Sequence, residues 1–298
     1  MFYIPRDPPA FGRIRLAVRK HLQNYGEIPA VGLSGGADSL ALAAALAVEN
    51  NNVQCTALIV DHQLQAGSAA VAQKAAQQAE NMGLKAQILK VTVAGSHEAA
   101  AREARYAALT AAAPEIAIGH TRDDQAETYL LGALRGNPAG MLPAAHGIHR
   151  PLLELPRSDT RQACAELGLQ WWEDPHNSNR RYQRVQVRQL LAGLAADAQD
   201  PESVIAAIAT AAARTAADRE AIRSWAAQLD ARDIKQLEEV PAGVRREAIV
   251  NLITEIGGKV SGASVAAVEA LITRWKGQGA VAIGNGYEVR RHGVRLIG

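Results

Sequence analysis

Between residues 28 and 135 the sequence alternates short apolar runs with longer segments that have a helical period. The apolar runs are nearly continuous, as expected for parallel strands that are covered on both faces. The alternation predicts an α/β fold with a doubly wound parallel sheet, which binds ligands at the carboxyl ends of its strands. The predicted strands are Ile28–Leu33, Val53–Val60, Ala86–Val91 and Glu115–Gly119, and the predicted helices are Asp38–Glu49, Ser68–Met82 and His97–Ala113.

The pattern changes twice further along the chain. Residues 136–156 are rich in glycine and proline and are predicted to be a loop, followed by a helix over Ser158–Leu167. After Asp200 the sequence becomes rich in alanine, which predicts a first domain over 1–200 and a smaller, mainly helical domain over 201–298. The second domain is expected to end in a β-hairpin around Gly284-Asn285-Gly286.

Composition narrows the class of protein. The two cysteines, Cys55 and Cys164, are far apart and encode neither a disulfide framework nor a zinc motif. No segment has the length of a transmembrane helix or the plan of a signal peptide, so we expect a cytoplasmic protein without membrane contact. Of the 32 basic residues 7 are lysine, which leaves 25 arginines. Arginine suits phosphate recognition, although genomic base composition enriches it equally well.

The segment between the first strand and the first helix predicts a phosphate-binding loop. Its two glycines allow a tight turn whose N–H groups approach an anion, and the helix behind them adds a partial positive charge. The hydroxyls of Ser34 and Ser39 are further donors, and Asp38 is placed to hold Mg²⁺ against phosphate oxygens. The loop consists of Ser34, Gly35, Gly36, Ala37, Asp38 and Ser39.

Two other interpretations of this segment are weaker than a phosphate-binding loop. The segment Gly32 to Gly36 also fits the nucleophile elbow of α/β hydrolases, but that fold needs several strands before the serine, and few residues precede it here. A glycine-rich turn without a ligand does not require Asp38 and Ser39. No Gly-Lys-Ser/Thr follows, so the loop is not a Walker A motif. It resembles instead the signature loop of the N-type ATP pyrophosphatases, which cleave ATP between its α and β phosphates.

Further polar residues follow the other predicted strands. Asp61 and His62 end the second strand, where a turn is the simpler explanation and a nucleotide contact the functional one. His120 begins a polar segment at the end of the fourth strand. Asp124 and Glu127 are three residues apart on the helix that follows, so their carboxylates share one face. Such a pair in an anion-binding cleft is suited to a cation, either a metal or an ammonium group.

Taken together, these segments make the chain similar to the tRNA(Ile)-lysidine synthetases. The resemblance covers residues 28 to 190 and the terminal hairpin, and the chain departs from the family at His176, where serine is usual. The matching segments are Ser34 to Ser39, Val60-Asp61-His62, Ala101 to Tyr106, Gly119 to Thr128, Arg150 to Leu153, Asp174 to Asn177, Arg184 and Arg188.

This resemblance implies that free L-lysine is joined to C2 of the wobble cytidine of tRNA(Ile) at the expense of ATP. It implies that the loop and Asp61 bind ATP, and that Asp38 holds Mg²⁺. Asp124 and Glu127 would bind the ammonium groups of lysine and help to deprotonate the attacking amine. In the same way, His120 and Arg105 would contact nucleotide or base, whereas Arg102, Arg184 and Arg188 would bind tRNA.

Two other classes of function share part of the pattern. The tRNA thiolation enzymes have the same loop but mostly carry catalytic cysteines or a C-x-x-C motif, which this chain lacks. A simple RNA-binding module would leave the ATP loop unexplained, and the second half of the chain does not match NAD or GMP synthetases. The domain over 201–298 is predicted either to bind tRNA or to join two copies of the chain as a homodimer, and the sequence does not decide between the two.

Overall fold

The structure is a computed structural model that describes residues 4, 8–50, 53–63, 67–91, 98–173 and 182–298, with the backbone alone at residues 98 and 99. The chain divides into two compact units, Met1–Arg214 and Thr215–Gly298. The change in composition at Asp200 marks the start of the helix Pro201–Ala226, whereas the division between the units falls inside that helix. The boundary at residue 200 predicted from the sequence therefore precedes the structural division.

The first unit is built on a mixed sheet that is mostly parallel. Its strands among the described residues are β1 (Ala30–Gly32), β2 (Thr56–Asp61), β3 (Lys85–Lys90), β4 (Ile116–Ile118), β5 (Ala144–Ala145) and β6 (Ile148–His149). The order across the sheet is β3-β2-β1-β4-β6-β5, and β5 is antiparallel to β6 while the other pairs are parallel. The chain moves from β1 to one edge and then returns to place β4 on the other side of β1. The carboxyl ends of β1 and β4 therefore form a topological switch point, the usual ligand site of such sheets.

Helices connect and cover the strands of this unit. They are α1 (Pro9–Tyr25), α2 (Ala37–Glu49), α3 (Ser68–Asn81), α4 (Glu98–Ala112), α5 (Arg122–Ala133), α6 (Arg157–Glu166), α7 (Gln183–Ala196) and α8 (Pro201–Ala226). Helix α2 is buried on nearly all sides, because it packs against α1 and α6 as well as the sheet. Leu40, Leu42 and Leu46 are almost inaccessible to solvent, and each contributes about 1.5–3 kcal/mol through burial. The predicted phosphate-binding loop thus precedes a firmly held helix.

Helix α6 is tied to the first helix of the chain. The carboxylate of Glu166 accepts the backbone N–H groups of Ala10 and Phe11 at 3.1 and 2.9 Å, at the start of α1 where no acceptor exists within the helix. Arg13 forms two hydrogen bonds of 2.8 Å with Asp159. These contacts fix the position of α6, whose first turns face the loop after β1.

The second unit combines helices with a small antiparallel sheet. Its described elements after α8 are α9 (Ile234–Glu239), α10 (Ala242–Ile256), α11 (Gly262–Thr273), β7 (Val281–Gly284), β8 (Tyr287–His292) and β9 (Arg295–Ile297). Asn285 and Gly286 have φ values of 55° and 83°, as expected for a two-residue hairpin turn. The apolar faces of α10, α11 and the sheet enclose a separate core that includes Leu252, Val268 and Val289.

The predicted fold class is confirmed. Each of β1 to β4 overlaps one of the predicted apolar runs, and the terminal hairpin is present with a third strand, β9, that was not predicted. Residues 136–156 are not all loop, because the two-residue strands β5 and β6 lie there. Among the described residues, every helix is too short or too polar to cross a bilayer.

Candidate active site

The loop after β1 turns sharply onto the start of α2. Gly35 has a φ of 82°, which side chains other than glycine rarely adopt. The Ser39 hydroxyl accepts the N–H of Ser34 at 3.1 Å and donates to the carbonyl of Gly36 at 3.0 Å. The N–H groups in the first turn of α2, from Ala37 onward, lack acceptors within the helix and so suit an anion. Phosphate binding by these residues stays a prediction, and the structure adds that Ser39 also stabilises the loop itself.

Asp38 lies in the first turn of α2 and is contacted by two residues of α6. The Thr160 hydroxyl donates to Oδ1 of Asp38, and Nε of Arg157 lies 3.7 Å from Oδ2. Burial raises the pKa of Asp38 to about 6, against the opposing effects of the Thr160 hydrogen bond and the Arg157 charge. Any additional cation at Oδ2 would favour the ionised carboxylate.

Gly119 brings the end of β4 against this loop. A Cβ atom at Gly119 would lie 2.8 Å from the carbonyl carbon and oxygen of Asp38 and 3.0 Å from the backbone nitrogen of Ser39. Only a residue without a side chain fits this approach. The residues that follow β4 are therefore held beside the first turn of α2.

Asp124 and Glu127 are both buried at the start of α5, with 8% and 1% of their surface exposed. Oδ2 of Asp124 accepts the backbone N–H and the hydroxyl of Thr121, each at 2.9 Å, which caps the helix. Oδ1 of Asp124 and both oxygens of Glu127 remain for other partners. The neighbouring Asp123 has a different task, because it accepts the backbone N–H of Arg157 at 2.8 Å.

Three arginines converge on this carboxylate pair. Arg157 donates to Asp124 at 3.0 Å and to Glu127 at 3.1 Å. Arg184 donates to the same two carboxylates at 2.7 and 2.8 Å, and Nε of Arg188 donates to Glu127 at 2.8 Å. Burial would raise the pKa of both carboxyls, but the arginines outweigh burial and lower it. Both acids are therefore ionised at neutral pH and face the same group of arginines, whereas a metal or an ammonium group as their ligand stays a prediction.

Arg184 and Arg188 are thus engaged with protein carboxylates. From the sequence they were expected to bind tRNA, and a contact with RNA phosphate stays a prediction for both. Their side chains are 24% and 38% exposed, so each guanidinium has one face toward the protein and part of its surface toward solvent.

His120 follows β4 and belongs to a chain of polar contacts. Its Nε2 lies 3.4 Å from the hydroxyl of Tyr106, and Arg102 donates to the same hydroxyl at 3.5 Å while its guanidinium lies over the tyrosine ring. Burial lowers the pKa of His120 to about 3, so the ring is neutral. Its Nδ1 is buried and has no hydrogen-bond partner among the described residues. A neutral imidazole with one unsatisfied nitrogen is suited to a ligand that supplies a hydrogen bond.

Asp61 and His62 form a turn at the end of β2. Oδ1 of Asp61 accepts the N–H of Gln63 at 3.0 Å, and Gln63 has a φ of 54°. Oδ1 of Asp61 therefore stabilises a turn, which is the simpler of the two explanations given for this residue. A contact of Asp61 with a nucleotide stays a prediction. Burial lowers the pKa of His62, and the charge of Arg105 adds to this effect, which places Arg105 near the same end of the sheet.

Arg157 and Thr160 lie in the site, but neither was predicted as a site residue from the sequence. The predicted helix over Ser158–Leu167 begins one residue after α6 does, so it excludes Arg157. Pro156 was an available signal, because the residue before a proline disfavours helical geometry and a helix can therefore begin at or just after the proline. The sequence-derived segment Asp174 to Asn177, with His176, lies outside the described residues, as do residues 180 and 181.

The two cysteines do not provide a reactive thiolate. Cys55 and Cys164 are buried, and burial raises the pKa of both thiols to about 12. Since a thiol must ionise to act as a nucleophile, these residues are structural. Cys164 lies against the start of α2, where its thiol donates to the carbonyl of Ala37 at 3.3 Å.

Comparison with known proteins identifies the family of this chain. The family model described as PP-loop domain matches residues 16–194. A Corynebacterium glutamicum protein named tRNA(Ile)-lysidine synthase is 41% identical in an alignment 308 positions long, gaps included, which covers 99% of this chain and 95% of that protein. A protein of the same name from Corynebacterium diphtheriae is 47% identical over 295 residues, with coverage of 98% and 97%.

A solved structure shares the fold at lower similarity. The U34-tRNA thiolase NcsA from Methanococcus maripaludis, with its [4Fe-4S] cluster, superposes with a TM-score of 0.55 and 18% identity over 69% of this chain and 80% of that one. At this identity the likeness concerns the fold alone. The match over nearly the full length at above 40% identity decides the family: the chain belongs to the tRNA(Ile)-lysidine synthase family and carries a PP-loop domain.

Proposed function

We propose that this chain is a ligase that joins free L-lysine to C2 of the wobble cytidine of tRNA(Ile), with ATP converted to AMP and pyrophosphate. The observation that carries this proposal is the convergence, at one end of a parallel sheet, of a phosphate-type loop and a buried carboxylate pair. Asp38 of the loop and Asp124 and Glu127 of the pair are all within ion-pair distance of one side chain, Arg157.

The reaction has two steps. In the first, the C2 carbonyl oxygen of cytidine attacks the α-phosphorus of ATP, and the bond to pyrophosphate breaks. In the second, an amine of lysine attacks C2, AMP leaves with the former carbonyl oxygen, and the amine loses one proton. The first step needs groups that hold a polyphosphate, and the second needs groups that hold an ammonium ion and accept a proton.

The residues around Ser34–Ser39 suit the first step. Gly35 lets the backbone turn so that N–H groups at the start of α2 face a pyrophosphate group. Asp38 fits Mg²⁺ because Arg157, the ion-pair partner of its Oδ2 among the described residues, lies 3.7 Å away, so this hard oxygen would be available to the metal. When bound there, Mg²⁺ supplies charge that stabilises the leaving pyrophosphate.

The carboxylate pair suits the second step. Asp124 and Glu127 are ionised and already hold cationic groups, so an ammonium group of lysine can replace a guanidinium without the cost of burying bare charge. Arginine that is released in this exchange is in turn free to pair with the carboxylate of the amino acid or with RNA phosphate. This assigns Arg184 and Arg188 to substrate binding.

The neutral His120 lies between these groups and the helix that carries Arg102 and Arg105. We assign these three residues to the nucleotide or the flipped base, because an unsatisfied imidazole nitrogen and nearby cations complement a polar ring and a phosphate. Asp61 is assigned to ATP at the end of β2.

The second unit is assigned to the rest of the tRNA. Its described surface has basic residues that are well exposed, together with exposed aromatic rings that can stack on bases. These residues include Arg274, Trp275, Lys276, Tyr287 and Arg290. A homodimer formed through this unit is the competing assignment. Since free lysine, ATP and tRNA meet in the cytoplasm, we place the reaction there.

The direct test is to incubate the chain with ATP, labelled lysine and tRNA(Ile). Label should enter tRNA only when all three are present, with equal amounts of AMP and pyrophosphate. A tRNA(Ile) transcript with uridine at the wobble position is the matched control and should take up no label. Labelling of that control, or labelling without ATP, would refute the proposal.

A further inference from the structure

Arg157 is the first residue of α6, and its main chain is fixed at both polar atoms. The backbone N–H donates to Asp123 at 2.8 Å, and the carbonyl accepts the hydroxyl of Thr160 at 2.8 Å. Its side chain is 19% exposed. The backbone of Arg157 is therefore held in place, and the position of its guanidinium depends on the charges around it.

Those charges come from two different helices. Arg157 donates to Asp124 and Glu127 of α5 at 3.0 and 3.1 Å, and its Nε lies 3.7 Å from Asp38 of α2. Arg188 differs, because its described hydrogen bonds go to Glu127. Arg157 thus has close contacts on the side of the carboxylate pair and a looser contact on the side of the phosphate loop.

On the function proposed above, we infer that Arg157 is a positioning residue that couples the ATP site to the lysine site. The guanidinium of Arg157 contacts both the carboxylate pair and Asp38. Its ion pairs with Asp124 and Glu127 weaken when negative charge near Asp38 attracts it more strongly. Polyphosphate bound at the loop keeps a net negative charge even with one Mg²⁺, so its phosphate oxygens draw the guanidinium toward the loop. The hold of Arg157 on Asp124 and Glu127 then weakens, and their charge becomes more available to the ammonium groups of lysine.

This arrangement predicts positive coupling between the two ligands. ATP bound first should tighten lysine binding, and lysine bound first should tighten ATP binding by the same factor, since coupling between two sites is reciprocal. We expect a factor of about ten, within the range common for coupled sites. Lysine would then be engaged mainly by a chain that already holds ATP.

Calorimetric titration of the full chain with lysine tests this, with and without Mg²⁺ and α,β-methylene-ATP, an analogue that resists cleavage between the α and β phosphates. In the unchanged chain, the analogue should lower the Kd for lysine by about tenfold. In Arg157→Gln this ratio should fall to one, and Arg157→Lys should restore part of it because the positive charge is retained. Thermal unfolding monitors whether each variant is folded, and Arg157→Lys keeps the test valid if Arg157→Gln is not.

Arg188→Gln is the matched control. This substitution also removes one positive partner of Glu127 but leaves Arg157 in place. It should therefore change the affinity for lysine, while the ratio of the lysine Kd values without and with the ATP analogue stays near ten. A ratio that is unchanged in both Arg157 variants would overturn the coupling role and leave the proposed function intact. Failure of the unchanged chain to bind lysine under any condition would instead refute the proposed function, and the inference with it.

Discussion

The hydroxyl of Thr160 donates to the carboxylate of Asp38, although the two residues are 122 positions apart in the chain. The hydrogen bond stabilises the ionised form of a carboxyl whose pKa burial has raised to about 6. The protonation state of Asp38 is therefore controlled in part by α6, a helix outside the loop motif.

A pH dependence follows from this contact. If ionised Asp38 is needed to hold Mg²⁺ with ATP, kcat/KM for ATP should be full above the folded-state pKa and should fall as the pH drops through about 6. Thr160→Val keeps the size of the side chain but removes the hydrogen bond, so the midpoint should move to higher pH. Steady-state AMP formation measured from pH 5 to 9 tests both statements, and identical profiles for the two proteins would contradict them.

Replacement of Asp38 should abolish ATP cleavage. Asp38→Ala removes the carboxylate proposed to hold the metal, and we expect AMP release to fall by at least about a hundredfold, roughly 3 kcal/mol in the barrier. The control is Glu49→Gln at the other end of α2, where Glu49 pairs with Arg15 and Arg19. That variant should release AMP at the normal rate, and AMP release by Asp38→Ala at a similar rate would remove Asp38 from the mechanism.

Glu127→Gln should separate the two chemical steps. The substitution removes one charge from the pair proposed to bind lysine and leaves the phosphate loop unchanged, so adenylated tRNA should form and accumulate. Gel analysis of tRNA labelled from [α-³²P]ATP measures this species, and Glu173→Gln at an exposed ion pair is the control. If adenylation falls as much as lysine transfer, Glu127 serves nucleotide binding and its assignment to lysine is wrong.

The close approach at Gly119 gives a prediction about stability and activity together. In Gly119→Ala the added methyl group would meet the Asp38 backbone at 2.8 Å, so the loop or β4 must move. We expect a loss of about 1–3 kcal/mol in the free energy of unfolding, as for other overpacked positions, and weaker ATP binding. Gly193→Ala in α7 is the control because its Cβ has open space, and it should gain up to about 1 kcal/mol in helix propensity. Chemical denaturation and nucleotide titration provide the two measurements, and unaltered values for Gly119→Ala would show that the contact relaxes freely.

The assignment of the second unit to tRNA is tested on the full chain by replacing Arg274, Lys276 and Arg290 with alanine. Affinity for tRNA should fall, and the dependence of log K on log salt should become shallower by about 0.7–0.9 for each phosphate that is no longer neutralised. ATP binding should be unchanged. Equal affinities and equal salt slopes would contradict the assignment, and sedimentation of the same proteins would then show whether this unit joins two copies.

Much of the fold could be predicted because its signals are local. The apolar runs that became β1 to β4 and the Asn285-Gly286 turn are readable from neighbouring residues alone. The strands β5 and β6 have two residues each, too few to show any period. Pro156 marks the helix that begins with Arg157, but the role of Arg157 could not be predicted, because it depends on carboxylates from α2 and α5 that no spacing within the sequence brings together.

The link between α6 and the phosphate loop also has a consequence for synthesis. A ribosome that adds about 5–20 residues per second would complete Asp38 roughly 6–24 seconds before Thr160, given their separation of 122 positions. During that interval the growing chain has the loop after β1 but lacks α6, which carries Arg157 and Thr160 and binds the start of α1. The loop motif is therefore made early, yet the nascent chain should convert no ATP to AMP until α6 and α7, which complete the site, have left the ribosome.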